Sequence, residues 1–204
     1  MELQQKQLIH AGMGKYLCAI VAGFLVQFLT GIAEAFVTDE KALIVCTVAL
    51  GTAAYLFGIY ELVGLNQASK SKIGFFKIVF FIELIDAIFD FVIAIVEVFH
   101  GSLDNTWVEV VSCLISIVSF AFFMCSYVKV AKSIGYSCKL INVAMAFYIV
   151  GFIGNIYTVF VLANNTVANT VAVLGDLAIS VVGWILQIAV AVQCYKKTQP
   201  EAIK

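Results

Sequence analysis

The stretch Lys77-Ile78-Val79-Phe80-Phe81-Ile82-Glu83-Leu84-Ile85-Asp86-Ala87-Ile88-Phe89-Asp90-Phe91-Val92-Ile93-Ala94-Ile95-Val96-Glu97-Val98-Phe99 decides how this chain is read. It is apolar and long enough to cross a hydrocarbon core of about 30 Å. Yet it carries four carboxylates: Glu83, Asp86, Asp90 and Glu97. The steps between them are three, four and seven residues, which puts all four on one face of an α-helix. An ionised Asp near the centre of a membrane helix costs about 2.5–3.5 kcal/mol on insertion scales, so such residues turn toward protein or a wet cavity. At about 1.5 Å per residue, Glu83 to Glu97 climbs about 21 Å.

Composition fixes the solvent. The chain has 204 residues, of which 63% are hydrophobic and 12% charged, with a mean hydropathy of +1.04. A soluble domain is about half apolar and about a quarter charged, so this chain has too few polar groups to cover a surface in water. The sequence predicts an all-α integral membrane protein of six transmembrane helices. The spans are Tyr16–Val37, Ala42–Gly64, Lys77–Phe99, Trp107–Val130, Leu140–Ala163 and Val171–Cys194. Short polar connections separate them, among them Thr38-Asp39-Glu40-Lys41 and the basic segments 66–72 and 132–139. Such short links make consecutive helices antiparallel neighbours. The whole chain is one transmembrane domain.

Lysine sets the orientation. Lys6 and Lys15 precede the first span, Lys70 and Lys72 follow the second, and Lys129, Lys132 and Lys139 flank the fourth-to-fifth connection. Lys196, Lys197 and Lys204 follow the sixth, while the opposite loops hold only Lys41. The positive-inside rule then makes both termini cytoplasmic, in a multi-pass protein of the cell (plasma or cytoplasmic) membrane. The first apolar run is too long for a cleavable signal peptide and is expected to stay as a helix. Tyr16, Tyr60, Trp107, Tyr127, Tyr136 and Tyr195 are expected to anchor at the interfaces.

An internal repeat organises the chain. Val26-Gln27-Phe28-Leu29-Thr30-Gly31-Ile32-Ala33-Glu34-Ala35-Phe36 aligns with Phe89–Phe99 at an offset of 63, and Val150–Phe160 follows at 61. Ile73-Gly74-Phe75 and Ile134-Gly135-Tyr136 match at the same offset of 61. The reading is three tandem hairpins in parallel orientation, at about 15–72, 73–134 and 135–197. They either surround an axis or stack side by side. The alignment puts Gln27, Asp90 and Gly151 near the membrane middle, and Glu34, Glu97 and Thr158 near the outer end.

The even helices carry stripes of their own. Span two has Thr47, Gly51, Ala54, Gly58 and Glu61; span four has Glu109, Ser112, Ser116, Ser119 and Ser126; span six has Asp176, Ser180, Gly183 and Gln187. For spans two and four the favoured reading is helix packing, since small residues let backbones approach and hydroxyls bond across helices. The carboxylates fit packing less well, because no lysine lies at their depth. They act as hydrogen-bonded neutral acids, or hold a cation, or line a hydrated path.

Other chemistry finds little support. There is no H-E-x-x-H and no G-x-S-x-G, and the histidines, His10 and His100, lie outside the spans. No enzyme activity and no cofactor are expected. The six cysteines form no C-x-x-C, so no metal site is expected, although Cys46 and Cys113 would meet if spans two and four touch. All 12 basic residues are lysine, and no basic cluster suggests nucleic acid. Asn164-Asn165-Thr166 fits the glycosylation sequon in a very short loop.

The expected function is a small transporter or channel for a cation, a proton or a cationic small molecule. Its candidate residues are Glu83, Asp86, Asp90 and Glu97, with Gln27 beside Asp90, and Glu34 and Asp176 at an acidic outer mouth. The alternatives are a non-catalytic partner or regulatory membrane subunit, and a substrate-capturing subunit of a larger importer. The expected partners are the bilayer, the substrate, and either further copies of the chain or a partner subunit. A chain this small has little material to build a pore alone.

Overall fold

A computed structural model describes the backbone of residues 1–100, 106–161 and 166–200. Within it, the side chains at 34–35, 40, 97–100, 106–107, 109–110, 113, 154–161 and 166–180 lie outside the description. The described chain is all helix. The elements are α1 (Leu3–Phe36), α2 (Glu40–Ser69), α3 (Phe76–His100), α4 (Thr106–Ile134), α5 (Lys139–Val161) and α6 (Thr166–Thr198). Each expected span lies in one helix, to within two residues at the outer ends of α1 and α5. Several helices run well past the apolar stretch. α1 begins at Leu3, 13 residues before Tyr16, so His10 sits on a helix. With the only proline at Pro200, nothing inside these stretches interrupts the backbone ladder.

The polar breaks act as expected. Asp39 caps α2, its Oδ1 accepting from the Ala42 N–H at 2.8 Å. Gly74 (φ +69) and Gly135 (φ +85) both take the left-handed conformation, at matching places in the two basic connections. Gly74 is also held closely against α4, where an added Cβ would meet Ser126 Cα at 2.9 Å. Beside it the Phe75 N–H donates to Ser126 Oγ at 2.8 Å, and that hydroxyl donates to the Phe122 carbonyl at 2.8 Å. Ser126 is thus the peg that fixes the start of α3 on α4.

The helices form a closed ring in chain order. α1 packs on α2, α2 on α3, α3 on α4, α4 on α5, α5 on α6, and α6 on α1, with a further α4–α6 contact. The contacts pair the starts of odd helices with the ends of even ones. Gly12 meets Gly64, His10 stacks on Tyr195 with ring centroids 4.1 Å apart, and Phe76 meets Tyr127 edge-on. Neighbours therefore run antiparallel.

Among the described residues, the buried core cluster lies at one end of the ring. Ile9, Met13, Tyr16, Leu65, Phe76, Val79, Phe123, Met124, Tyr127, Val130, Ile141 and Val190 are buried there. This is also the end that carries the basic connections and Lys196 and Lys197. Tyr16 and Tyr127, expected as interface anchors, instead fill this core at 1% and 0% exposure. Aromatic rings that can stack with Phe123 and Phe76 bury more apolar area inside the plug than at a headgroup surface. Tyr60 stays exposed, and Trp107 lies outside the described side chains.

Outward faces are apolar along the rest of the ring. Leu25, Phe28, Leu29, Leu56, Ile59, Ile85, Ile88, Ile149, Ile153 and Ile185 are each 49–62% exposed. A soluble monomer rarely exposes a continuous apolar surface of this extent. Among the described residues, Leu3–Ala33, Lys41–Ser69 and Leu114–Ile134 are long and apolar enough to cross a membrane. α3, at 25 residues, is as long, but Lys77, Glu83, Asp86 and Asp90 set it apart by charge.

The tightest crossing is between α1 and α2. An added Cβ at Gly12 would lie 2.6 Å from the Gly64 carbonyl oxygen and 2.7 Å from Ala68 N. One at Gly64 would lie 2.7 Å from the Gly12 carbonyl oxygen. These are backbone atoms, which cannot rotate aside. Gly64→Ala is expected to destabilise the protein by about 1–3 kcal/mol, the usual cost of overpacking. Gly51→Ala, where nothing lies within 4 Å of the new methyl, is expected to change little. Equilibrium unfolding in mixed detergent micelles checks both.

Candidate functional site

Above the plug the six helices part, and a cavity of about 510 Å³ opens between them. All six helices line it. α3 contributes Glu83, Asp86 and Asp90, which face inward as the helical spacing requires. α1 contributes Tyr16, Ala19, Ile20, Gly23 and Gln27; α2 contributes Ala54, Phe57, Gly58 and Glu61. Ser116, Ser119, Phe120 and Phe123 come from α4, Tyr148 from α5, and Trp184 and Gln187 from α6.

The floor and the upper wall differ. Near the plug, Ser119 donates its hydroxyl to Glu83 Oε1. Gln187 Nε2 donates to Tyr16 Oη at 2.9 Å. Glu61 is partly buried and borders the same cavity as Glu83. No hydrogen-bond or ion-pair partner of Glu61 occurs among the described residues. Asp90 lies two turns up from Glu83, about 10 Å along α3, and is exposed to the cavity, as is Gln27 on α1. Asp86, between them, is partly buried.

Charge balance is the chief electrostatic feature. Among the described residues, four carboxylates border the cavity and no lysine or histidine does. Such acids in an apolar interior are neutralised by protonation, hydrated, or paired with a cation. Among the described residues, no three His, Cys, Asp or Glu side chains converge closely enough to hold a metal ion. The acids lie along one wall, formed by α2 and α3, rather than gather at one point.

The sequence-derived candidates divide cleanly. Glu83, Asp86, Asp90 and Gln27 meet at one cavity. The side chains of Glu34, Glu97 and Asp176, the expected outer mouth, lie outside the described residues, as does Cys113. One stripe departs from expectation. Glu61 shares a face of α2 with small residues expected to pack, but the glycines of that face meet no close neighbour. An added Cβ at Gly51 or Gly58 finds no atom within 4 Å, and Ala54, Gly58 and Glu61 border the cavity. The signal was present: a carboxylate on a face of small residues marks open space as readily as a close crossing. The serine stripe of α4 does bond across helices, Ser119 to Glu83 and Ser126 to the start of α3, and Ser116 and Ser119 also border the cavity.

Comparison with protein-family models, with curated proteins and with solved structures finds no match for this chain. The site is therefore interpreted from its own geometry.

A hydrated cavity has a direct test. In a variant lacking the native cysteines, Ser116→Cys is expected to react in intact membranes with a membrane-impermeant thiol reagent. Val118→Cys, on the 44% exposed apolar outer face, is expected to stay unreactive. Equal labelling at both positions would mean that water does not enter the ring selectively.

Proposed function

We propose that this chain is a multi-pass protein of the cell membrane that moves a cation through the space inside its helix ring. In this reading all six helices span the bilayer. The lysine-rich end is cytoplasmic, by the positive-inside rule, and the cavity opens toward the outer side of the plug. The observation that carries the proposal is the convergence of Glu61, Glu83, Asp86 and Asp90 on one cavity with no basic side chain along its wall among the described residues. A purely structural role fits poorly, since carboxylates buried for packing are paired or removed from the apolar phase.

The arrangement suits an ion that enters and leaves. The carboxylates along α3 step through successive turns, so a cation finds a next oxygen at each level and no single deep trap. Ser119 holds Glu83 in place, while Asp90 keeps exposed surface near the middle of α3. The packed end containing Tyr16, Phe123 and Tyr127 closes the path on the lysine side. Passage then requires this plug to loosen, as alternating access would.

Proteoliposomes test the reading. Wild-type protein is expected to pass a cation down its gradient. Asp90→Asn and Glu83→Gln are expected to slow that flux at least tenfold while remaining folded. Flux that survives both substitutions would take the α3 carboxylates out of the path. If wild type carries no cation, and Asp90→Asn is as stable or more so, a partner-subunit role replaces transport.

A further inference from the structure

The carboxylates share their cavity with an unusual density of aromatic rings, and this bears on what the cavity accepts. Tyr16, Phe57, Phe120, Phe123, Tyr148 and Trp184 all line it. Most are held by ring partners. Tyr16 meets Phe123 at 4.7 Å between centroids, Phe120 stacks on Tyr148 at 3.6 Å, and Trp184 leans on Phe24 at 5.6 Å. The last two pairs join neighbours in the ring, α4 to α5 and α1 to α6, while the first reaches across it from α1 to α4.

A proton or a small inorganic ion has no use for such walls. A metal ion wants several oxygens converging at short range, and the described residues offer no such group. A proton path needs a chain of hydrogen-bonding groups or waters and gains nothing from aromatic walls. About 510 Å³ instead falls within the range of pockets that hold whole small molecules, lined by apolar rings with a few polar anchors. Organic ammonium ions match this chemistry. Their charge is spread over carbon and weakly hydrated, aromatic faces attract it, and a carboxylate nearby completes the neutralisation. Glu61, on the wall opposite the outward lipid-facing side of α2, and Asp90, exposed to the cavity, have no partner among the described residues and are free to make that contact.

We propose that the cavity binds a monovalent organic ammonium ion, its apolar body against the ring walls at Trp184 and Phe57 and its charge toward Glu61 and Asp90. This rests on the transport reading only for what happens after binding; the site itself does not require flux. It excludes a bare metal ion or proton as the main occupant.

Radiolabelled tetraethylammonium is the probe, with purified full-length protein in lipid nanodiscs for binding and the same protein in proteoliposomes for flux. Wild type is expected to bind saturably, with excess sodium or potassium competing poorly. Trp184→Leu and Glu61→Gln are each expected to weaken binding about tenfold, and Trp184→Phe to keep most of it, since a ring face and not packing volume is what counts. Phe57→Leu, with no aromatic partner among the described residues, repeats the test without disturbing a ring pair. Sodium, potassium or proton flux with no tetraethylammonium binding would overturn the organic-cation site and leave transport standing. Binding that none of these substitutions changes would also overturn it. Binding without flux of any cation would uphold the site and overturn transport. Neither binding nor flux would overturn both.

Discussion

Carboxylates without counter-charges, set in an otherwise apolar chain, are the constraint around which this structure is arranged. A charge moved into a low-dielectric interior costs several kcal/mol unless it is paired or hydrated. This chain has 13 acids and 12 lysines, so charge balance was available in principle. The described lysines, however, lie off the cavity, most of them near helix ends, and the α3 acids sit within the helix. The fold answers by separating two tasks. One end of the ring is packed solid, and the adjoining part stays open where the acids point.

The solid end explains how so small a ring holds together. Interhelical attraction between apolar helices in lipid comes from close packing and a few hydrogen bonds, with little hydrophobic drive. Gly12 and Gly64 let two backbones touch, Ser126 ties the start of α3 to α4, and Tyr127 donates to Met13 Sδ at 3.6 Å. His10, at the start of α1, meets the Tyr195 carbonyl at 2.9 Å and so joins the two ends of the chain. Each of these contacts is short-range and specific. Together they close the ring at one end and leave its apolar outer face to the surrounding solvent.

Much of this was legible in the residues. Helical period put Glu83, Asp86 and Asp90 on one face, and the structure turns that face inward. Polar breaks fixed the helix boundaries, and matched Ile-Gly-aromatic segments gave matched left-handed glycines. What misled was the meaning of small residues. Gly51 and Gly58 read as a packing groove, yet Gly12 and Gly64 make the close crossing. A glycine marks either a near neighbour or an empty space, and sequence spacing is the same for both. Tyrosine was ambiguous for a similar reason: a ring with one polar end suits an interface, and equally a core that offers its hydroxyl a partner such as Gln187.

Periodicity, composition and charge placement, all properties of the chain taken one segment at a time, determined that this protein is helical, apolar on its outer faces and acidic along one helix. Which acids meet was a different matter. Glu61 on α2 and Glu83 on α3 are 22 positions apart and border the same cavity only because α2 packs on α3. Trp184 and Gln187 join them because α6 returns to α1 and closes the ring. The enclosed space, its aromatic walls and its unbalanced charge belong to the ring as a whole. They are set by interhelical packing, in which contacts between distant positions decide which of several equally polar faces looks inward.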